Sequence, residues 1–404
     1  MTEISETLEF KTQIHTAWDA TEQRMALRGY PRRSIAYAYY GMNAAQSNYL
    51  RALSYAKQNE QIEIPLWHAA CRLTENAYEN YSHVSVNTTN LWHFRGCSGV
   101  MFWHNDEVGG DRYFLKALYG DGSLKLTELL EQDYPATSTL VCPTVYGYLK
   151  PEDKYSVYNS DLSTMQLNVD ILDDFTLTSL PTAFNENNFE EWEFKTPFQE
   201  AIPVSYLDVD IFPIAPSWTG DIAANFTRNA NKLDNEVGLP KYDFKSVYSS
   251  ENKEIEYILS SRSEINNFQR FFIKCKGRLK SFYAPTWLND MELVKNATAG
   301  QLYMLVKWPL YWKYYSSMSR RKVIVIFFKS GEVKIYPLSG YSTDSTGTYG
   351  KVYFETALTA PLLKSNIRMI SFFCLYRFDS DTLTTEYETT GIATISTSFA
   401  EVNA

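Results

Sequence analysis

The sequence is poor in the residues that most catalytic and metal sites use. Only five histidines occur among 404 residues (His15, His68, His83, His93 and His104), and none follows His104. No Gly-x-Ser-x-Gly elbow is present. No motif groups a nucleophile with a base and an orienting acid, so nucleophilic hydrolysis has no signature here. The five cysteines (Cys71, Cys97, Cys142, Cys275, Cys374) are odd in number, widely spaced and free of any Cys-x-x-Cys pair. That argues for reduced thiols in a cytosol and against a disulfide framework. Long apolar runs are missing too. Val323-Ile-Val-Ile-Phe-Phe328 is far below the roughly 20 residues that cross a bilayer. The start, Met1-Thr-Glu-Ile-Ser-Glu6, has neither the basic opening nor the apolar core of a signal peptide. Positive charge is in deficit, 38 Lys+Arg against 47 Asp+Glu, a net charge of −9. An overall field of that sign argues against direct nucleic-acid binding.

Aromatic residues are abundant: 30 Tyr, 23 Phe and 9 Trp. Tyr and Trp suit surfaces with one wet and one dry side, as at protein–protein contacts. The distribution of strands and helices shows a repeat. Ser34–Tyr40 reads as a strand, residues 43 to 58 as a helix with Tyr49, Leu50, Leu53 and Ala56 on one side, and Gln61–Trp67 as a second strand. About 220 residues later, Glu254–Leu259 reads as a strand. A helix follows with Ser263 as N-cap and Gly277 as its stop, then a strand, Ser281–Trp287. Ile265, Phe268, Phe272 and Cys275 share one face of that helix. Ile35 aligns with Ile255, Tyr37 with Tyr257, Pro65-Leu-Trp67 with Pro285-Thr-Trp287, and Tyr158-Asn-Ser-Asp161 with Phe378-Asp-Ser-Asp381. β-rich tails close both copies, and Ala393, Ile395, Thr397 and Phe399 alternate onto one face of the last. The expected architecture is mainly β (α+β): two duplicated β-sandwich-type domains, each with one short helix between strands. The expected boundaries are 1–175, a polar acidic connection over 176–230 with an exposed loop at Asn185–Glu191, and 231–404.

Candidate chemistry is sparse. His93, Cys97 and His104, with Cys71, contain zinc-ligating types, but His-x3-Cys-x6-His matches no strong template; semi-buried packing beside Trp92, Phe94 and Trp103 is the preferred reading. Carboxylates gather at Asp170, Asp173 and Asp174, at Asp208 and Asp210, and at Asp379 and Asp381. Two carboxylates could hydrolyse a glycoside, but turn formation is preferred. No catalytic residue, cofactor or metal is expected. Arg24, Arg28, Arg32 and Arg33 form a basic cluster that is either an inter-subunit contact or a solvated turn around Pro31. Leu310-Tyr-Trp-Lys-Tyr-Tyr315 and Asn90-Leu-Trp92 could stack on sugars, anchor an interface or pack inward. Trp312 and Tyr314 are therefore candidate assembly contacts.

Several blocks carry a family resemblance. Ser263-Glu-Ile-Asn-Asn-Phe-Gln-Arg-Phe-Phe272, Lys276-Gly-Arg-Leu-Lys-Ser-Phe282 and Pro285-Thr-Trp287 resemble a minor tail protein of tailed bacteriophages. Glu22-Gln-Arg24, Arg28 and Pro31-Arg-Arg33 are similar to that family's N-terminal segment. Arg377-Phe-Asp-Ser-Asp-Thr-Leu383, Glu386-Tyr387 and Ser398-Phe-Ala-Glu-Val402 are similar to its C-terminal segment. The pattern is also similar to distal tail proteins of gene transfer agents. The first copy departs from it, with Lys57-Gln-Asn-Glu60 where the Gly-Arg turn would be. The resemblance implies a non-enzymatic virion structural protein, made in a host bacterial cytoplasm. It would form a ring (trimer or hexamer of itself) between the tail tube and the hub, fibre or receptor-binding proteins. A collar or sheath-like ring, a carbohydrate-binding tail-tip adhesin and a glycan hydrolase are the alternatives.

Overall fold

The structure is a computed structural model. It describes residues 3–17, 21–86, 92–95, 97–104, 110–119, 123–151, 153–159, 162–172, 205–218, 222–228, 230–244, 249–315 and 318–402. Asn185–Glu191, Asp173, Asp174, Ser160 and Asp161 lie outside these residues. The fold is mainly β, built of antiparallel sheets in a sandwich-type arrangement with few helices. Among the described residues no helix is long and apolar enough to cross a membrane.

The first half opens with β1 (Glu3–Glu9) and a hairpin of β2 (Thr12–Thr16) and β3 (Glu22–Ala26). Then come β4 (Arg32–Met42), α1 (Ala44–Lys57), β5 (Ile62–Pro65), β6 (Gly99–His104), β7 (Thr139–Leu149), β8 (Lys154–Asn159) and β9 (Leu162–Ile171). The second half has β10 (Ala223–Thr227), β11 (Ser250–Leu259), α2 (Arg262–Cys275), β12 (Phe282–Pro285), α3 (Tyr311–Tyr314) and β13 (Val323–Phe328). It ends with β14 (Ile367–Phe378), β15 (Thr382–Thr389) and β16 (Ile392–Glu401).

The two halves use one pairing scheme. In the first, β4 pairs with β9 (Ile35↔Val169, Tyr37↔Leu167), and β7 pairs with β5 (Thr144↔Pro65), β6 and β9. In the second, β11 pairs with β16 (Ile255↔Thr397, Tyr257↔Ile395), and β14 pairs with β12 (Phe373↔Pro285), β13 and β16. The hairpins β8–β9 and β15–β16 also correspond. Each half places its 14-residue helix, about four turns, directly after its first long strand, beside β4 and β9 in the first half and β11 and β16 in the second.

β1 joins the halves. One edge pairs with β4 (Ile4↔Tyr37, Glu6↔Ile35) and the other with β15 of the second half (Ile4↔Tyr387, Glu6↔Thr385). Its alternating pattern turns Ile4, Glu6 and Leu8 inward. One hydrophobic core accordingly spans both halves, with Leu8, Ile35 and Val169 contiguous with Phe268, Phe272 and Phe378. In the second half, β10 pairs antiparallel with the opening of β11 (Ala223↔Glu254 to Thr227↔Ser250), stopping short of Ile255 and Tyr257.

Three expectations need correction. The 176–230 stretch is not a polar connection throughout. Ile211, Phe212 and Ile214 are buried, and Ile211 bridges Tyr283. Its apolar residues fill the second half's core, so that half begins by Ser205. The N-cap of α2 is Ser261, not Ser263. Ser261 has the extended backbone that a cap needs, and its hydroxyl accepts from the Glu264 amide. Lys276 then turns left-handed (φ 54°), followed by Gly277 (φ 62°). On α1, Asn43 and Gln46 form a capping box; Leu50 and Leu53 of the expected face are half-buried, Leu50 against Met165 and Leu167, but Tyr49 and Ala56 face solvent and the fully buried residues are Ser47 and Ser54. The face Ile265–Phe268–Phe272–Cys275 is buried as expected.

Candidate functional site

Glu6 projects from β1 into the seam between the halves and is fully buried. Strand β4 brings Arg33, whose Nε donates to Glu6 Oε1 at 2.6 Å. Two short 3-10 turns, Trp67–Ala69 and Trp92–Arg95, bring His68 and His93, with Nε2 atoms 3.6 and 3.1 Å from Glu6 Oε2. From α2 comes Gln269, donating to Glu6 Oε2 at 3.0 Å and lying 3.0 and 3.1 Å from Tyr387 and Thr385 of β15. The Tyr387 hydroxyl donates to Glu6 Oε2 at 3.0 Å. Trp92 Nε1 donates to Gln269 Oε1 at 2.8 Å, and the Arg33 guanidinium lies 4.8 Å from the Trp92 ring centre. Five separate pieces of chain thus converge on the carboxylate of a sixth, β1.

The protonation states follow from burial and partners. Burial alone would raise the Glu6 pKa, but Arg33, His93 and His68 together hold it well below the usual carboxylate range. Burial pulls His68 down to about 3, against the opposing pull of Glu6. It also pushes the Tyr387 hydroxyl well above its ordinary value. The seam therefore holds an ionised Glu6–Arg33 pair beside a neutral imidazole and phenol.

Glu6, His68 and His93 offer ligand atoms within 4.8 Å of one another. The donor set is of a type that zinc or iron accepts, and the Glu6–histidine separations resemble the edges of a tetrahedral site with ligands about 2.0–2.1 Å from the metal. The charge and hydrogen bonding do not fit. Arg33 already neutralises Glu6, and Oε2 already accepts from Gln269 and Tyr387. A divalent ion would add uncompensated charge to a dry site beside a guanidinium. Physically, the arrangement is a lock between β1, β4, β15 and α2. The grouping differs from the one weighed on sequence: His93 meets His68 and Glu6. Cys97 instead donates to the Phe94 carbonyl, and His104 Nδ1 lies 3.2 Å from the Ser138 hydroxyl.

The lock has a pH signature. His68 titrates near 6.5 when unfolded and about 3 when folded. Below pH 6.5 the unfolded chain takes up a proton that the fold refuses. Stability falls with falling pH across that window, by up to about 1.4 kcal/mol per unit. Glu6 adds a loss of the same sign below its ordinary 4.5. Urea unfolding of His68→Gln between pH 7 and 5 should show a shallower dependence than the native chain. An unchanged slope would exclude His68 as its source.

The sequence blocks that carry the tail-protein resemblance meet at a second place. Arg377 donates to both Glu22 carboxylate oxygens at 2.9 Å, and Arg24 donates to the Ser281 hydroxyl at 2.8 Å. Asp381 accepts from the Thr12 amide at 2.6 Å and the Arg278 amide at 3.0 Å. A Cβ on Gly277 would sit 2.7 Å from Asp381 Oδ1, so the Gly-Arg turn requires glycine on contact as well as backbone grounds. Asp379 pairs with Arg377 and Asp210 with Lys274. Asp381 thus ties the Gly-Arg turn to the start of β2, and Asp210 ties the 205–218 segment to α2.

No family model and no curated protein matches this chain.

The basic cluster is a correction to the contact reading. Arg33 is buried on Glu6, Arg24 reaches Ser281, and Arg28 donates to the Glu9 carbonyl at 2.8 Å. These three serve their own chain, because β1 and the β2–β3 hairpin fold back over it; of the four, only Arg32 is exposed. Trp312 and Tyr314 are exposed, whereas Tyr311 on the same helix is buried. Sequence reasoning missed Glu6 and His68. Their positions, 6, 68 and 93 with His93, share no spacing that marks a site.

Proposed function

We propose that the protein is a non-enzymatic structural component of a bacteriophage tail, a ring subunit at the distal tail or baseplate linking the tube to hub or receptor-binding proteins. The observation that carries this reading is the interlocking of the three tail-protein-like blocks: Glu22 with Arg377, Arg24 with Ser281, and Asp381 with Arg278. Residues quoted from distant parts of the chain support one another's geometry, which is what a shared scaffold demands. Two further features support a building block. The halves repeat one strand-pairing scheme, and the buried Glu6 carboxylate takes its hydrogen bonds from Arg33, Gln269 and Tyr387 of its own chain.

The test is particle composition. Particles assembled with an affinity-tagged chain should carry it in many copies at the far end of the tail by electron microscopy. Density at the neck or along the tail would favour a collar or sheath-like ring. Its absence from purified particles would overturn the reading. So would reducing sugar released by the pure protein and abolished by a single Asp→Asn change. Glycan binding lost in Trp312→Ala with assembly intact would assign the adhesin instead.

A further inference from the structure

The junction inside the chain describes a second junction, one that the described residues do not make with one another. At the internal seam, the first half contributes β1 and the Trp92–Arg95 turn, which precedes β6. The second half receives them on β15 and α2. β1 pairs with β15, Trp92 donates to Gln269, and Arg262 of α2 donates to the Ala70 carbonyl. All four elements have counterparts in the other half. β10 lies on the opening of β11, along the edge that β1 takes on β4, and α3 precedes β13 as the Trp92 turn precedes β6. β8 and α1 occupy in the first half the places of β15 and α2 in the second.

The counterparts are bare where the originals are covered. β1 buries Ile4, Glu6 and Leu8, whereas every residue of β10 is exposed, Phe226 by 68%. Trp92 is 4% exposed, whereas Trp308 beside α3 is 66% exposed. β15 buries Leu383, Thr385 and Tyr387, whereas β8 buries none of its six residues and leaves Tyr158 69% exposed. Ten residues of α2 are buried against two of α1, whose Tyr55 is 86% exposed. Among the described residues β10 pairs only with β11, and β8 only with β9, so each presents an open strand edge.

We infer that a second copy of this chain completes these faces head to tail. β10 and the Trp308–Tyr314 segment of one copy dock on β8 and α1 of the next, repeating between chains the seam already made within one. It rests on the building-block reading above. The contact is heterologous, so it propagates until the assembly closes, and a ring of n chains then presents 2n near-equivalent units. Strand addition supplies main-chain bonds, and the exposed aromatics supply the apolar anchors.

Heterology gives a sharp test on the full-length chain. One variant charges the donating face (Phe226→Lys with Trp312→Lys), and another charges the receiving face (Tyr49→Lys with Tyr55→Lys). All four positions are exposed, and circular dichroism checks that both variants fold. In sedimentation velocity over a wide concentration range, the native chain should assemble. Each variant alone should be monomeric, its association weakened by roughly 100-fold or more. An equimolar mixture should stop at a heterodimer, since one intact face of each kind remains. If either variant assembles like the native chain, the head-to-tail inference is overturned and the building-block reading stands. If the native chain stays monomeric, incorporation into particles decides the rest. Variants incorporated as well as native overturn the inference alone; native chain absent from particles overturns both.

Discussion

Glu6→Gln should destabilise the fold by about 3–5 kcal/mol, a large share of any domain's stability. The substitution keeps the shape but leaves Arg33 with its charge buried and uncompensated. Glu6 is fully buried and Arg33 nearly so, with 2.6 Å between Nε and Oε1. Gln269 and Tyr387 also lose a charged acceptor, and each charge-assisted bond is worth about 1.5–3 kcal/mol. Urea denaturation at pH 7 measures this directly. Pairing Glu6→Gln with Arg33→Met should recover part of the loss, because no orphaned ion then remains. A single-variant effect below about 1 kcal/mol would mean that β1 does not dock as described.

Phe212→Ala should cost about 3–5 kcal/mol as well. Phe212 has no exposed surface, and its ring lies 5.1–5.7 Å from those of Phe268, Phe271, Phe282, Phe399 and Tyr257 and 6.4 Å from Phe378. Alanine would open a cavity that α2 and the surrounding strands cannot collapse to fill, and would remove edge-on aromatic contacts worth about 0.5–1.5 kcal/mol each. Thermal unfolding of the variant should show a much lower midpoint. A midpoint within a degree or two of native would show that the 205–218 segment does not pack on the second half in solution.

The local elements were legible in the sequence because they depend on local rules. Alternation marked the last strand at Ala393, Ile395 and Phe399, and helical spacing marked Ile265, Phe268, Phe272 and Cys275. What long-range packing decides was not legible. Phe212 sits among Asp and Pro in a stretch without period, so its burial follows only from the pocket that α2 and the sheet provide. The exposed side of α1 was misjudged because apolar spacing there does not match the sheet contact: Ser47 accepts or donates at 2.7 Å with Tyr155, while Tyr49 points away. The seam was invisible for the same reason. Nothing near Glu6 in sequence foretells Tyr387, 381 positions away.

That separation sets the order of events during synthesis. β1 pairs with a strand made about 380 residues after it, so this part of the sheet cannot be closed until β15 has left the ribosome. Such remote pairing is slow, and β4 waits with an open edge in the meantime. A truncated product would hold its opening strand on one side only, leaving Ile4 and Leu8 without the partners that cover them. The seam can be sealed only once β15 is present to take the far edge of β1.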